Sequence, residues 1–129
     1  MSAERQPFSA LDAYEEIIDQ LVTETSHGIS ERLVAETGIF SKAPERQKFN
    51  LFVQSLSTEQ RGTLAEMLHA ERTSAIHDVL AVFTWWATAR DLAFTYRSEP
   101  MPIGFEGGLH LDYVGRLNDW QWPKNPLGR

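Results

Sequence analysis

The chain has 129 residues, of which 42% are hydrophobic, and it contains no cysteine. This length favours one domain, and the composition is that of a globular protein and argues against a disordered one. The absence of cysteine excludes disulfides, thiolate zinc sites and cysteine nucleophiles.

The net charge of −6 belongs to the first 40 residues, which hold eight acids and two bases, whereas the remaining residues hold ten of each. Such an acidic balance opposes binding to nucleic acid and to anionic lipid, since both are bound through Lys and Arg contacts to phosphate. We expect a solvated acidic face, with attraction of a basic protein partner as the alternative.

No membrane or secretion segment is predicted. Residues 1–16 lack the apolar stretch of a signal peptide, and the most apolar run, 79–87, is too short to span a bilayer. The expected location is therefore cytoplasmic.

Two helices are predicted in the first 40 residues. Ser9 can cap the first, and Asp12 places a negative charge in its first turn. Apolar side chains then recur at three- and four-residue steps until His27 and Gly28, where glycine suits a C-cap. A short helix over about 30–37 follows and is ended by Gly38. Its predicted inward-facing side chains are Leu33 and Val34.

The next helix is predicted to open at Pro44, because proline is tolerated in a first turn. Ser57 and Gln60 then have the spacing of a capping box, which starts another helix. The segment 57–96 contains no proline and one glycine, Gly62. The predicted buried stripe of the helix after Pro44 consists of Phe49, Phe52, Val53 and Leu56.

On a helical wheel, the segment 57–96 has an apolar stripe that we expect to be buried and an opposite polar face. Forty residues rising about 1.5 Å each would exceed the diameter of a compact domain of this size. We therefore favour a break or bend near 72–74, with helices of about 58–72 and 74–96. The alternative is one long helix whose overhang packs on a second chain. The apolar stripe contains Leu64, Met67, Leu68, Ala75, Val79, Val82, Phe83 and Trp86. The polar face carries Glu66, His69, Thr73, His77 and Thr84.

The composition changes after Tyr96, since residues 97–129 hold four of the six prolines and five of the eight glycines. We predict a single domain, 1–129, in which a helical body (1–96) is covered by a wrapping arm (97–129) that buries Trp120 and Trp122. Residues 103–114 are expected to form a small hairpin. The predicted fold class is all-α, a bundle of four to five helices with an irregular C-terminal arm.

Glu66 and His69 have the i, i+3 spacing of carboxylate-bridged di-iron sites, and they are the candidate metal ligands. Such a site needs a second motif of this kind and two further carboxylates, and only one motif is present. His77 lies eight residues beyond His69, too far along a helix to share one metal. Ligands would have to come from Glu15, Glu16, His110 or Asp112, so we expect neither a metal nor another cofactor.

The candidate catalytic residues are His77, His110 and Asp112. His77 and Asp78 form a candidate acid–base pair, but adjacent helical residues point in different directions, so we favour a structural His77 bonded to the returning arm. After Gly107 and Gly108, His110 and Asp112 are expected on one side of an extended segment that a ligand can approach. Arg116 is expected to anchor the arm through a carboxylate such as Glu71 or Asp78, or to stack on a tryptophan.

Two parts of the chain together resemble a family of small bacterial proteins of unknown function. The first part comprises 56–61, 64–68, 71–72 and 75–81, and the second comprises 96–100, 109–116 and 120–123. The resemblance covers the second half of the chain and leaves out the first 50 residues. It implies a bacterial single-domain protein and supplies no activity, ligand or catalytic residue.

Three functions remain open. We favour a non-catalytic binding or interaction module, homodimeric because its aromatic side chains exceed what so short a body buries easily. An enzyme with a metal or small-molecule site between His69/His77 and His110/Asp112 is the second. It requires His77, His110 and Asp112 to converge within about 4 Å of one point. The third is an acidic binder that presents 12–36 to a basic protein.

Overall fold

The computed structural model describes residues 8–26 and 28–124. Five α-helices are present in this part: α1 (Ala10–Ser26), α2 (Ile29–Thr37), α3 (Gln47–Gln54), α4 (Thr58–Ala89) and α5 (Leu109–Leu117). A 3₁₀ turn at Pro44–Arg46 precedes α3, and two short antiparallel strands, β1 (Thr95–Tyr96) and β2 (Glu99–Pro100), pair between α4 and α5. The predicted all-α class with a short hairpin is confirmed.

The chain divides into two compact units. Unit 1 combines the chain up to Val22 with the chain from Ile76 onward, and unit 2 is Thr23–Ala75. The description of 1–129 as one domain with a helical body and a wrapping arm stays a prediction.

Local signals at the start of the chain are confirmed. The Asp12 carboxylate accepts hydrogen bonds from the backbone N–H and the hydroxyl of Ser9, at 2.9 and 3.0 Å, and the Asp12 N–H donates to the Ser9 hydroxyl. α2 lies within a residue of its prediction, Val34 is fully buried, and Gly38 ends the helix with a φ of 72°. His27 and the side chain of Leu33 lie outside the described residues.

Helix α3 is held by a buried amide that the sequence did not single out. Asn50 is 5% exposed, and its Oδ1 accepts from the backbone N–H groups of Phe40 and Ser41, while its Nδ2 donates to the Ser41 carbonyl. The amide thus fixes the loop before α3. Of the stripe predicted to be buried on this helix, only Val53 is buried, and Phe52 is 58% exposed.

Helix α4 begins with the predicted capping box, in which the Ser57 N–H donates to the Gln60 side chain at 2.9 Å and the Gln60 N–H to the Ser57 hydroxyl at 3.1 Å. The predicted break at 72–74 is wrong, because the helix is continuous over 32 residues, about 48 Å. No glycine or proline interrupts it there, and the Thr73 hydroxyl donates back to the Ala70 carbonyl. The helix also ends earlier than predicted, since Asp91 adopts a φ of 58°.

The buried face of the second half of α4 is not the predicted one. Thr84 and Ala87 are buried, and Ile76 and Leu80 pack against the core of unit 1. The expected stripe is instead turned outward: Val79, Val82, Phe83 and Trp86 are 41–57% exposed. Apolar residues occupy both sides of this part of the helix, so the wheel alone could not select the side that packs.

The predicted position of the hairpin is also wrong. The hairpin lies at 95–100, where the two turn residues Arg97 and Ser98 have φ values of 50° and 68°, as a two-residue turn of the primed type requires. The segment from Leu109 is helix α5 rather than a strand. Its inward residues Leu109, Asp112 and Tyr113 have helical spacing, and the positive φ at Gly107 belongs to the turn before the helix.

Candidate functional site

The core of unit 1 is built around a buried carboxylate. The buried apolar cluster consists of Tyr14, Ile18, Leu109 and Tyr113, each of which is at most 7% exposed. Asp112 is fully buried on the same face of α5. Since a charge buried without partners is strongly unfavourable, the groups that solvate this side chain determine how the unit is organised.

Three donors surround the Asp112 carboxylate. The Tyr14 hydroxyl donates to Oδ2 at 2.5 Å, and the backbone N–H groups of Phe105 and Glu106 donate to Oδ2 and Oδ1 at 2.9 and 3.1 Å. Burial raises the pKa of Tyr14 above its ordinary value, and the hydrogen bond to Asp112 is the second-largest cause of the rise. Tyr14 therefore remains a proton donor at neutral pH. The network joins α1, the turn before α5 that contains Phe105 and Glu106, and α5 itself.

The first backbone N–H of α5 is hydrogen-bonded by a side chain of α4 rather than by the residue that precedes the helix. Gly108 has no side chain to offer, and the hydroxyl of buried Thr84 accepts from the Leu109 N–H at 3.0 Å while donating to the Leu80 carbonyl. This contact explains why the polar residue Thr84 faces inward on α4.

Arg116 anchors the C-terminal segment, as predicted, but through a different carboxylate. Its Nε donates to Asp19 at 2.6 Å, neither to Glu71 nor to Asp78. Its Nη1 donates to the Trp120 carbonyl, and its guanidinium lies 5.4 Å from the Trp122 ring centroid. The Trp122 indole also donates to Asp19, at 3.0 Å. Trp120 and Trp122 are both partly buried.

Of the three catalytic candidates, the structure brings two together. The rings of His77 and His110 meet edge to face, with centroids 5.1 Å apart. Asp112 lies two positions beyond His110 on a helix, so its side chain points elsewhere, towards Tyr14. The expectation that His110 and Asp112 share one side of an extended segment is therefore wrong.

His77 also differs from its prediction in its partner. Its Nδ1 lies 3.0 Å from the carboxylate of Asp78, although adjacent helical residues were expected not to support each other. Asp78 is largely exposed, so its side chain is free to turn back along the helix surface. The Nδ1 of His110 is buried and has no hydrogen-bond partner among the residues that the structure describes.

The metal candidates Glu66 and His69 lie in unit 2. Glu66 is exposed, and the Nδ1 of His69 pairs with Glu31 at 3.2 Å, a contact that occupies one of its two ring nitrogens. Within residues 8–26 and 28–124, no three His, Asp or Glu side chains are grouped as a metal site would require. A catalytic or metal-binding role for the candidates stays a prediction.

The outward face of the second half of α4 is apolar. Val79, Val82, Phe83 and Trp86, hereafter the α4 stripe, have the three- and four-residue spacing of a helix–helix contact and yet face solvent. Trp85 is 52% exposed beside Trp86, and the two rings meet edge to face. The helical wheel correctly groups these residues into one stripe, but the prediction that this stripe is buried is wrong.

The chain belongs to the family described as "Family of unknown function (DUF6547)", whose sequence profile matches residues 8–124. The match therefore includes residues 8–50, which lie outside the resemblance noted in the sequence. No curated protein and no solved structure matches the chain. Within the described residues, no helix combines the length and apolar character needed to cross a membrane.

Proposed function

We propose that the protein is a homodimeric interaction module whose two copies pair through the α4 stripe. The observation that carries the proposal is the exposure of Val79, Val82, Phe83 and Trp86 along one side of an unbroken helix. Large apolar side chains that are contiguous and exposed mark interaction surfaces more often than isolated ones do.

The spacing of the stripe suits an antiparallel pair of identical helices. In a two-fold symmetric contact, residue i of one copy meets residue j of the other, and the reverse contact repeats it. A two-fold axis between Val82 and Phe83 sets Val79 against the partner's Trp86 and Val82 against the partner's Phe83. Each valine then faces an aromatic ring, and this alternation of small and large side chains favours close packing.

The charge distribution also favours a second copy. The acidic excess lies in the first 40 residues, whereas 79–89 contains no charged residue. Two copies can therefore meet along the stripe without placing like charges in the contact.

The exposed area of the α4 stripe sets the expected affinity of the dimer. With about half of each side chain exposed, the stripe presents roughly 350 Å² per copy, compared with about 800 Å² per partner in a standard stable interface. The α4 stripe thus supplies the centre of an interface, with neighbouring side chains such as Trp85 at its rim. We expect a dimer that dissociates at micromolar concentrations.

Analytical ultracentrifugation over a concentration series tests the proposal. Val82→Glu places a charge at the proposed centre, and it should fold normally because Val82 is 57% exposed. We expect its dimer Kd to rise at least 100-fold. Leu51→Glu is the matched control, since Leu51 is 68% exposed on α3 in the other unit, and it should dimerise like the wild type. A wild type that stays monomeric at high concentration overturns the proposal.

Cysteine trapping gives a second readout, because the natural chain has no cysteine. Val82→Cys places a single thiol beside the proposed two-fold axis, and mild oxidation should yield a covalent dimer. Leu51→Cys should remain monomeric under the same conditions. Equal crosslinking of both variants would mean that the thiols meet by random collision and would count against the geometry.

The two other functions stay predictions. Catalysis would need His77, His110 and Asp112 to act on one substrate, while Asp112 is engaged by three donors in the core. Binding of a basic protein through 12–36 is supported by the acidic excess of the first 40 residues alone. Salt-sensitive retention of a basic protein by the purified chain would favour it.

A further inference from the structure

We propose that unit 1 binds a small uncharged aromatic molecule in a cavity between α1, α4 and the segment after α4. The cavity has a volume of about 210 Å³. Tyr14, Phe83 and Phe94 contribute rings to its wall, and Met101 contributes a thioether. This site is distinct from the histidine pair and does not depend on dimerisation.

The wall chemistry selects the class of ligand. The wall is formed by aliphatic and aromatic side chains, and its one hydroxyl, that of Tyr14, is directed at Asp112. A charged or strongly polar molecule would lose its hydration there without compensation. Aromatic rings and a methionine sulfur, in contrast, make favourable edge and face contacts with another ring.

The volume limits the size of the ligand. An apolar cavity of about 150 Å³ stays dry and accepts benzene, so 210 Å³ accommodates one six-membered ring with a small substituent. Ile18 and Leu109 close the deep end and are buried, whereas Ile17 and Phe83 are 46% and 41% exposed at the rim. The cavity is therefore open to a ligand from solvent.

Phe83 belongs to both the cavity and the α4 stripe, so a partner's side chain is the competing occupant. The test uses the monomeric Val82→Glu variant alongside the wild type, with benzene and toluene as probes. We expect a rise in Tm of roughly 5 °C for both proteins at a probe concentration tenfold above Kd. A rise in the monomer alone would mean that the partner fills the cavity in the dimer, and would overturn the proposal for the assembled protein.

Methyl NMR locates the probe. We expect shifts at the methyl groups of Ile17, Ile18, Leu80 and Leu109. The methyl groups of Val53, Leu64 and Leu68 are the internal control, because they line a separate apolar cavity of about 180 Å³ in unit 2. Shifts confined to that second group, or no shifts at all, overturn the proposal.

Two variants complete the test by changing the size of the cavity. Ile17→Trp adds bulk at the exposed rim and should reduce toluene binding at least tenfold. Met101→Ala enlarges the cavity and should allow naphthalene to bind, which the wild type should exclude. The location would be refuted by two results together. Ile17→Trp would leave toluene binding unchanged, and naphthalene would bind equally to the wild type and to Met101→Ala.

Discussion

Replacement of Tyr14 by phenylalanine removes one oxygen atom from the buried hydrogen-bond network around Asp112. The ring remains, and with it the edge-to-face contacts to Phe105 and Trp122, whose centroids lie 5.7 and 5.8 Å away. The hydroxyl that donates to the Asp112 carboxylate is lost. The variant therefore isolates the contribution of a single hydrogen bond.

The structure sets the size of the effect. Asp112 is fully buried, so water cannot replace the missing donor without opening the core. The carboxylate keeps its two backbone donors, so the loss is smaller than that of an unpaired buried charge. A hydrogen bond to a charged group contributes about 2 kcal/mol, and for a chain of this length such a loss lowers Tm by about 8 °C.

Urea unfolding followed by circular dichroism measures the difference. Tyr96→Phe is the matched control, because Tyr96 lies in the surface hairpin with its ring against Phe8, and it should stay within about 0.5 kcal/mol of the wild type. If Tyr14→Phe is as stable as the wild type, or if Tyr96→Phe loses as much, the network does not hold unit 1 together as described.

Three further outcomes follow from the same unit. Thr84→Val leaves the Leu109 N–H without its acceptor and should cost about 1–2 kcal/mol, whereas Thr88→Val, which removes an exposed hydroxyl bonded within its own helix, should cost less than about 0.5 kcal/mol in the same urea assay. Because the folded state raises the pKa of Tyr14, the unfolded chain loses this proton first, so stability should fall above about pH 10 by about 1.4 kcal/mol per pH unit, and a pH series of Tm should be flatter for Tyr14→Phe. Burial, with two acidic neighbours, raises the pKa of Glu15, so its charged form opposes folding; Glu15→Gln should raise Tm at pH 7, and the gain should vanish as the pH falls below about 4. An unchanged Tm for Glu15→Gln at pH 7 would contradict the last expectation.

Features with local causes were predictable from the sequence. The cap at Ser9, the capping box at Ser57 and the glycine that ends α2 at Gly38 each depend on residues within four positions of one another. Such signals do not require knowledge of what the helix packs against.

The side of α4 that is buried could not be predicted in the same way. Apolar residues lie on both sides of its second half, and the choice is made by Thr84, whose hydroxyl serves the start of a helix 25 residues later. The partner of Arg116 was missed for the same reason, since Asp19 is 97 positions away. For α5, the helical spacing of Leu109, Asp112 and Tyr113 was available, but the preceding glycines favoured a strand interpretation.

The link between Tyr14 and Asp112 also sets an order for folding during synthesis. The two residues are 98 positions apart, and the whole of unit 2 lies between them in the chain. At 5–20 residues per second, the ribosome needs roughly 5–20 s to reach Asp112 after it has made Tyr14. Throughout that interval the apolar side of α1 has no α5 to cover it, so we expect the nascent chain to bind chaperones until α5 emerges.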